Sequence, residues 1–288
     1  MNIKGKLIII GGAEDKGTNS KHRDDQDFLE DGILARIVKE SRNKENSRFE
    51  IITSASTIPE EVGQDYVEAF GKLGCKDVNV LIVENREQAF DPELAQRMRE
   101  ADVVFATGGD QLRLTTTLGG TPIYDILLDK LKTEDDFIYA GTSAGAAAAS
   151  DSMISKGNSI DAFLKGEVKT TTGFGFIQDV VFDTHFVQRG RIGRLLQLIV
   201  SNPKILGIGL EENTALMITE GNTKLEAIGT GSAILVDGRG IRNTNLLEIR
   251  ERAPLSIDNL TLHVMSQTDI YDLTEHKLTI INSEDVLK

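Results

Sequence analysis

Four consecutive apolar residues at positions 7–10 end on Gly11 and Gly12. A run of that length closed by glycines predicts a strand buried on both faces rather than one with a wet side. Downstream, the pattern alternates between two periods. Phe28, Ile33, Ile37 and Val38 fall at helical spacing within 27–42, and Val62, Tyr66, Phe70 and Leu73 do so within 59–74. The second of these helices begins on Pro59 and ends at Gly74, in keeping with the preferences of helix ends. Helices are also predicted over 92–101 and 122–134. Between them lie runs rich in Val, Ile and Phe at 49–56, 77–83, 102–109 and 137–143. Strands alternating with helices predict the α/β class, with a parallel sheet covered on both faces. Right-handed crossovers then bring the strand ends to one edge, where ligands bind.

Past residue 180 the pattern changes. Residues 180–186 and 206–218 read as strands separated by one helix over 192–200. Residues 224–238 read as a hairpin, and the tail from about 240 to 288 as a β-rich C-terminal extension. Without a linker, repeat or low-complexity tract, residues 1–288 are expected to form a single α/β domain.

Composition narrows the function classes. The chain has 32 Lys and Arg against 45 Asp and Glu, a net charge of −13. No excess of positive charge is available to release counterions from phosphate, so a nucleic-acid partner is not expected. The acidic surface favours solubility and can attract a cationic substrate. The opening apolar run is too short for a signal peptide, and no later run is long enough to span a bilayer, so no membrane association is expected. Cys75 is the lone cysteine. An internal disulfide is therefore impossible, which fits a cytoplasmic location. One Cys and four scattered His lack metal-ligand spacing, and no nucleotide-binding glycine pattern is complete, so neither metal nor cofactor is expected.

The candidate chemistry centres on "GTSAG", residues 141–145. A predicted strand precedes this pentapeptide and an alanine-rich helix start follows it. That context is the one in which G-x-S-x-G pushes a serine hydroxyl out of the sheet on a sharp turn. Ser143 is thus a candidate nucleophile, and the small neighbours are what the crowded turn requires. A base must come from His22, His185, His263 or His276. His185, near a strand end, is expected to reach the same edge; His22 lies in a charged loop, His263 in a strand and His276 in a turn. To orient the base, Glu212 is the first candidate and Asp161 the alternative, while Glu211 would point to the opposite side of a continuing strand. Backbone amides of Gly109, Asp110 and Ala144 are candidates for an oxyanion hole.

Taken in order, "IIGGAEDK", "TGGDQLRL", "AGTSAGAAAAS", "DTHFVQRGRIGRL" and "GIGLEENTA" resemble the cyanophycinases, serine peptidases related to bacterial aspartyl dipeptidase, over most of residues 6–218. The resemblance implies a flavodoxin-like or class I glutamine-amidotransferase-like three-layer sandwich, a Ser–His–acid mechanism and a homodimer. The implied substrate is cyanophycin, a polyaspartate carrying arginine on its β-carboxylates, and the implied product is β-Asp-Arg. By motif, Ser143 matches the nucleophile, His185 the base and Glu212 the acid. Gln111, Asp183, Arg189, Arg191 and Arg194 match substrate-binding positions. Where cyanophycinases often carry Gln this chain has Thr184, which shortens a substrate contact.

Such a substrate is zwitterionic, so its site needs both signs. The three arginines suit its carboxylates, and Asp183 is expected to receive its arginine side chains. Three alternatives remain open at this point. One is a dipeptidase for short Asp-containing or β-aspartyl peptides. Another is an α/β-hydrolase esterase, in which His263 or His276 would follow the acid. The third is a catalytically silent binder of Asp- or Arg-bearing peptides.

Overall fold

A computed structural model describes residues 3–18 and 27–281; His22 lies outside them. The first half alternates as the pattern predicts. Strands β1 (Lys6–Ile10), β2 (Arg48–Ile52), β3 (Asp77–Leu81), β4 (Val103–Ala106) and β5 (Ile138–Thr142) are joined through helices α1 (Ile33–Glu40), α2 (Pro59–Lys72), α3 (Pro92–Glu100), α4 (Gln111–Leu118) and α5 (Pro122–Thr133). The strands lie parallel in the order β1-β5-β4-β2-β3. Leu7 and Ile9 enter one core cluster and Ile8 and Ile10 another, which is why β1 needs an unbroken apolar run.

Helix ends follow side-chain chemistry. Asp91 and Thr121 accept amides of the first turns of α3 and α5, and both helices have Pro at N1. The helix expected over 27–42 is shorter than predicted. The Asp27 carboxylate takes the Leu29 amide at 2.8 Å, which ties residues 27–31 into a separate turn before Gly32.

The second half contains α6 (Ala144–Ala148), a ribbon of β6 (Ser152–Lys156) and β7 (Lys169–Thr172), β8 (Val180–Asp183), α7 (Ile192–Ser201), and strands β9 (Leu206–Leu210), β10 (Thr214–Thr219), β11 (Lys224–Gly229) and β12 (Ala233–Asp237). The ribbon was not anticipated. The tail adds β13 (Asn243–Thr244), β14 (Ile257–Asp258), β15 (Thr261–Met265), β16 (Ile270–Asp272) and β17 (Lys277–Thr279). β10 pairs antiparallel with β1 and continues through β11, β16 and β17, giving nine strands in this sheet among the described residues. A second sheet has four, in the order β15-β12-β9-β8.

Two expectations are corrected here. Residues 206–218 are not one strand: β9 belongs to the small sheet and β10 to the large one. Residues 224–238 are not a hairpin, because β11 pairs with β10 and β16 whereas β12 pairs with β9 and β15. Within residues 206–238 the chain thus crosses between the sheets at 211–213 and at 230–232. The crossings bind each other: Thr230 N donates to Asn213 O at 3.0 Å, and Ser232 N donates to the Glu211 carboxylate at 2.6 Å. These bonds hold the Glu212 turn. No helix among the described residues is long and apolar enough to cross a membrane.

Candidate active site

β5 ends at Thr142, and the next residue makes the turn. Ser143 has φ +50° and ψ −100°, a conformation that costs a side-chain-bearing residue strain and lifts its hydroxyl off the sheet. Its amide donates to Ile10 O at 3.0 Å, so β1 fixes the turn from the adjacent strand. The small neighbours have a direct cause. A Cβ on Gly145 would lie 2.4 Å from Ala106 O in β4. α6 stops after five residues because another segment takes over its carbonyls: Phe174 N donates to Ala148 O at 2.7 Å and Phe176 N to Ala149 O at 2.9 Å.

His185 does reach Ser143, but by a different route from the one expected. It follows β8, in the small sheet, and not the parallel edge of the large one. Its amide donates to Gly11 O at 2.9 Å, and its ring lies against Gly12. Ser143 Oγ is 3.1 Å from His185 Nε2, and His185 Nδ1 is 2.7 Å from Glu212 Oε1. A proton on Nδ1, donated to the carboxylate, leaves Nε2 as an acceptor for the serine hydroxyl. Burial lowers the His185 pKa. The Glu212 hydrogen bond opposes that shift, and the Arg189 and Arg191 charges reinforce it. Glu212 is at the sheet crossing, not on a strand. Glu211 turns its carboxylate to the Ser232 amide instead.

Asp161 is placed elsewhere: its carboxylate accepts from Asn158 Nδ2 at 3.3 Å. His263 packs its ring 5.6 Å from that of Tyr271, and His276 lies in the turn between β16 and β17. Neither makes the contact to Ser143 that His185 makes.

A cavity of about 60 Å³ opens beside Ser143, walled by Gly109, Ala144, Gln111, Thr184 and Arg189 among others. Gly109 and Ala144 remain in place as candidate oxyanion donors. Asp110 does not, because its amide donates to Ala55 O at 3.0 Å while its carboxylate caps α4. Gln111 Nε2 donates to Ile154 O at 2.9 Å, which ties the cavity wall to β6.

The charged wall also differs from expectation. Asp183 is buried and already paired within the chain: Arg194 grips it through two nitrogens, and Arg191 Nη1 lies 3.1 Å away. It cannot therefore serve as a free receptor for a substrate arginine. Arg191 also donates to Thr184 O at 2.7 Å, and Arg194 to Gly157 O at 3.2 Å. Arg189 is exposed at the cavity, and its guanidinium has no ion pair or hydrogen bond among the described residues. Of the three arginines it alone keeps its full donor set for a ligand. Among the described residues no group of three or more His, Cys, Asp or Glu is placed to hold a metal.

In the sequence, Gly11 and Gly12 mark only the close of a buried strand. Both are part of the site, since they border His185 directly. The available signal was position: they close the strand that neighbours β5 in the sheet.

Comparison with known proteins shows the family to which the chain belongs. The model of peptidase family S51 matches residues 8–226. A cyanophycinase of Thermosynechococcus vestitus (strain NIES-2133 / IAM M-273 / BP-1) is 35% identical over 275 residues, covering 96% of this chain and 81% of its own. A cyanophycinase of Geminocystis herdmanii (strain PCC 6308) is 33% identical over 275 residues, with 96% of each chain covered. In fold, the crystal structure of a peptidase from an acI-B1 Actinobacterium superposes with a TM-score of 0.66 at 20% identity, covering 94% of this chain and 98% of that one. A putative peptidase E from Listeria monocytogenes EGD-e gives 0.52 at 16% identity, covering 79% and 99%. The extent of the family match, and of the identity to curated relatives, establishes that the chain belongs to peptidase family S51 and is a serine-type peptidase.

Proposed function

We propose that this peptidase hydrolyses cyanophycin to β-Asp-Arg dipeptides, with Ser143 as nucleophile, His185 as general base and Glu212 as the acid that orients it. The observation that carries the mechanism is the unbroken chain of contacts, 3.1 Å from Ser143 Oγ to His185 Nε2 and 2.7 Å from His185 Nδ1 to Glu212. In the first step Ser143 Oγ attacks the scissile carbonyl and its proton passes to His185 Nε2. That proton is then delivered to the leaving amine, and Glu212 stabilises the transient imidazolium. The Gly109 and Ala144 amides would receive the oxyanion. A water activated by His185 then releases the acyl product and restores the serine.

The substrate assignment rests on the curated cyanophycinases among the relatives and on the charge of the cavity. Asp183 neutralises one positive charge, so Arg191, Arg194 and Asp183 together retain one, and Arg189 adds a second. That balance favours a carboxylate-bearing substrate. The acidic surface outside the cavity, not Asp183, is then the region suited to the polymer's arginines. One-domain organisation belongs to the same reading, since β16 and β17 extend the sheet that contains β1. So does a cytoplasmic homodimer, for which light scattering is the test; exposed Leu262 and Val264 on the edge strand β15 are surface that a second copy would cover.

The deciding experiment is incubation with cyanophycin and mass spectrometry of the products. β-Asp-Arg is expected. Thr184 and the small cavity favour a second reading, a dipeptidase for short β-aspartyl peptides. Turnover of such peptides with no release from the polymer would select it.

A further inference from the structure

Three successive carbonyls, of Ile10, Gly11 and Gly12, accept the amides of Ser143, His185 and Asn213 at 3.0, 2.9 and 2.9 Å. One short stretch at the end of β1 therefore holds the backbone of the serine, the histidine and the turn that carries Glu212. Asp15 N adds a bond to Asn213 Oδ1 at 3.1 Å.

Glu14 lies within this stretch, only 4% exposed. One of its carboxylate oxygens accepts the Tyr66 hydroxyl, and the other accepts Thr142 Oγ1 at 2.6 Å. Tyr66 is wedged against Phe105 with ring centroids 4.6 Å apart, so the first contact is anchored in the core. The second reaches the residue immediately before Ser143. A buried carboxylate is costly to desolvate, and a pair of apolar side chains would serve packing better. What the carboxylate supplies instead is a short, directional bond that joins the stretch to the turn. Ser143 needs such a constraint, because its backbone is strained and a strained residue persists only where its surroundings over-determine it.

We propose that Glu14 is a positioning residue: through Thr142 it holds the strained Ser143 turn against the stretch that also carries His185 and the Glu212 turn. The inference rests on Ser143 being the nucleophile.

The test compares Glu14→Gln, Thr142→Val, their double variant and Thr142→Ser. It measures kcat and KM on cyanophycin, Tm, and the rate at which a fluorophosphonate labels Ser143. Glu14→Gln and Thr142→Val should each lose about tenfold or more in kcat and in labelling rate, as expected for one charge-assisted bond. KM should stay within about twofold, since substrate contacts are untouched. Thr142→Ser keeps the hydroxyl and should recover most of the rate. The double variant should be no slower than the slower single one, because both changes cut the same link. Should Glu14→Gln fail to fold, the near-isosteric Thr142→Val decides alone. Wild-type kcat and labelling in Thr142→Val, or losses that disappear at assay temperatures well below each Tm, would overturn the proposal. A Ser143→Ala control separates the two levels. If that variant still hydrolyses substrate, the nucleophile assignment falls and takes this inference with it; if it is inactive while Thr142→Val is normal, only the role of Glu14 falls.

Discussion

Gly12 and His185 are mutually exclusive with any side chain between them: a Cβ on Gly12 would lie 2.5 Å from His185 Cε1 and 2.6 Å from Nε2. The nitrogen that faces Ser143 is thus backed directly by main chain. Gly12→Ala should push the imidazole off its line, and a displacement of about 1 Å is enough to cost on the order of 100-fold in kcat. Steady-state kinetics on purified, folded variant would check this. A wild-type kcat would mean that the ring works from some other position.

The two candidate acids should separate cleanly. Glu212→Gln removes the carboxylate at Nδ1 and should lower kcat by about 10³-fold or more, by analogy with other orienting acids. Asp161→Asn should leave kcat within about twofold, since its contact is to Asn158. The reverse ranking would reassign the third member.

Burial holds the His185 pKa below its ordinary 6.5. The neutral, base-competent form therefore survives to lower pH, and the acid limb of kcat/KM should have its midpoint below 6.5. Arg189 contributes to the lowering, so Arg189→Ala should move the midpoint up. Glu212 opposes it, so Glu212→Gln should move the midpoint of the residual activity down. Stability follows the same sign. The unfolded chain binds this proton more readily than the folded one, so stability is full above 6.5 and falls as pH drops from there through the folded value. Titration of His185 by NMR above its ordinary value would contradict all of these shifts.

Arg189 and Arg194 should fail in opposite ways. Arg194→Ala removes the two-nitrogen partner of the buried Asp183 carboxylate and leaves it Arg191, so Tm should fall, by less than the roughly 3–5 kcal/mol typical of a fully stranded buried charge. Arg189→Ala removes an exposed guanidinium with no hydrogen-bond or ion-pair partner among the described residues. Its Tm should be unchanged, while kcat/KM on a carboxylate-bearing peptide drops about tenfold or more. Thermal scans and kinetics on the same preparations would tell the two apart. A matched fall in Tm for Arg189→Ala would show that it supports the fold.

Hydrophobic period was a good guide wherever a segment's burial depended on its own pattern. The run at 7–10, the helix starting at Pro59 and the strand before Ser143 were all legible for that reason. Period says nothing about which sheet a strand joins. Residues 206–218 read as continuous because apolar runs flank Glu211, Glu212 and Asn213; only tertiary pairing reveals that these three form a crossing. The same limit applies to charge. Asp183, Arg191 and Arg194 were visible as a cluster, but their mutual pairing depends on the first turn of α7 folding back over the end of β8. Glu14 offered no sign of its burial, because an acid followed by Asp15 and Lys16 looks like solvated loop.

The crossing at 211–213 also bears on how the protein comes into being. The serine is translated first, the histidine next and the glutamate last, and the last arrives on the link between two sheets. A nascent chain that has completed β5 does not yet contain His185. One that has completed β8 has the imidazole without its carboxylate. The proposed triad can be complete only once the ribosome has passed residue 212 and the crossing at 211–213 has joined the two sheets. A product of synthesis that stops before residue 212 therefore lacks the acid of the proposed triad.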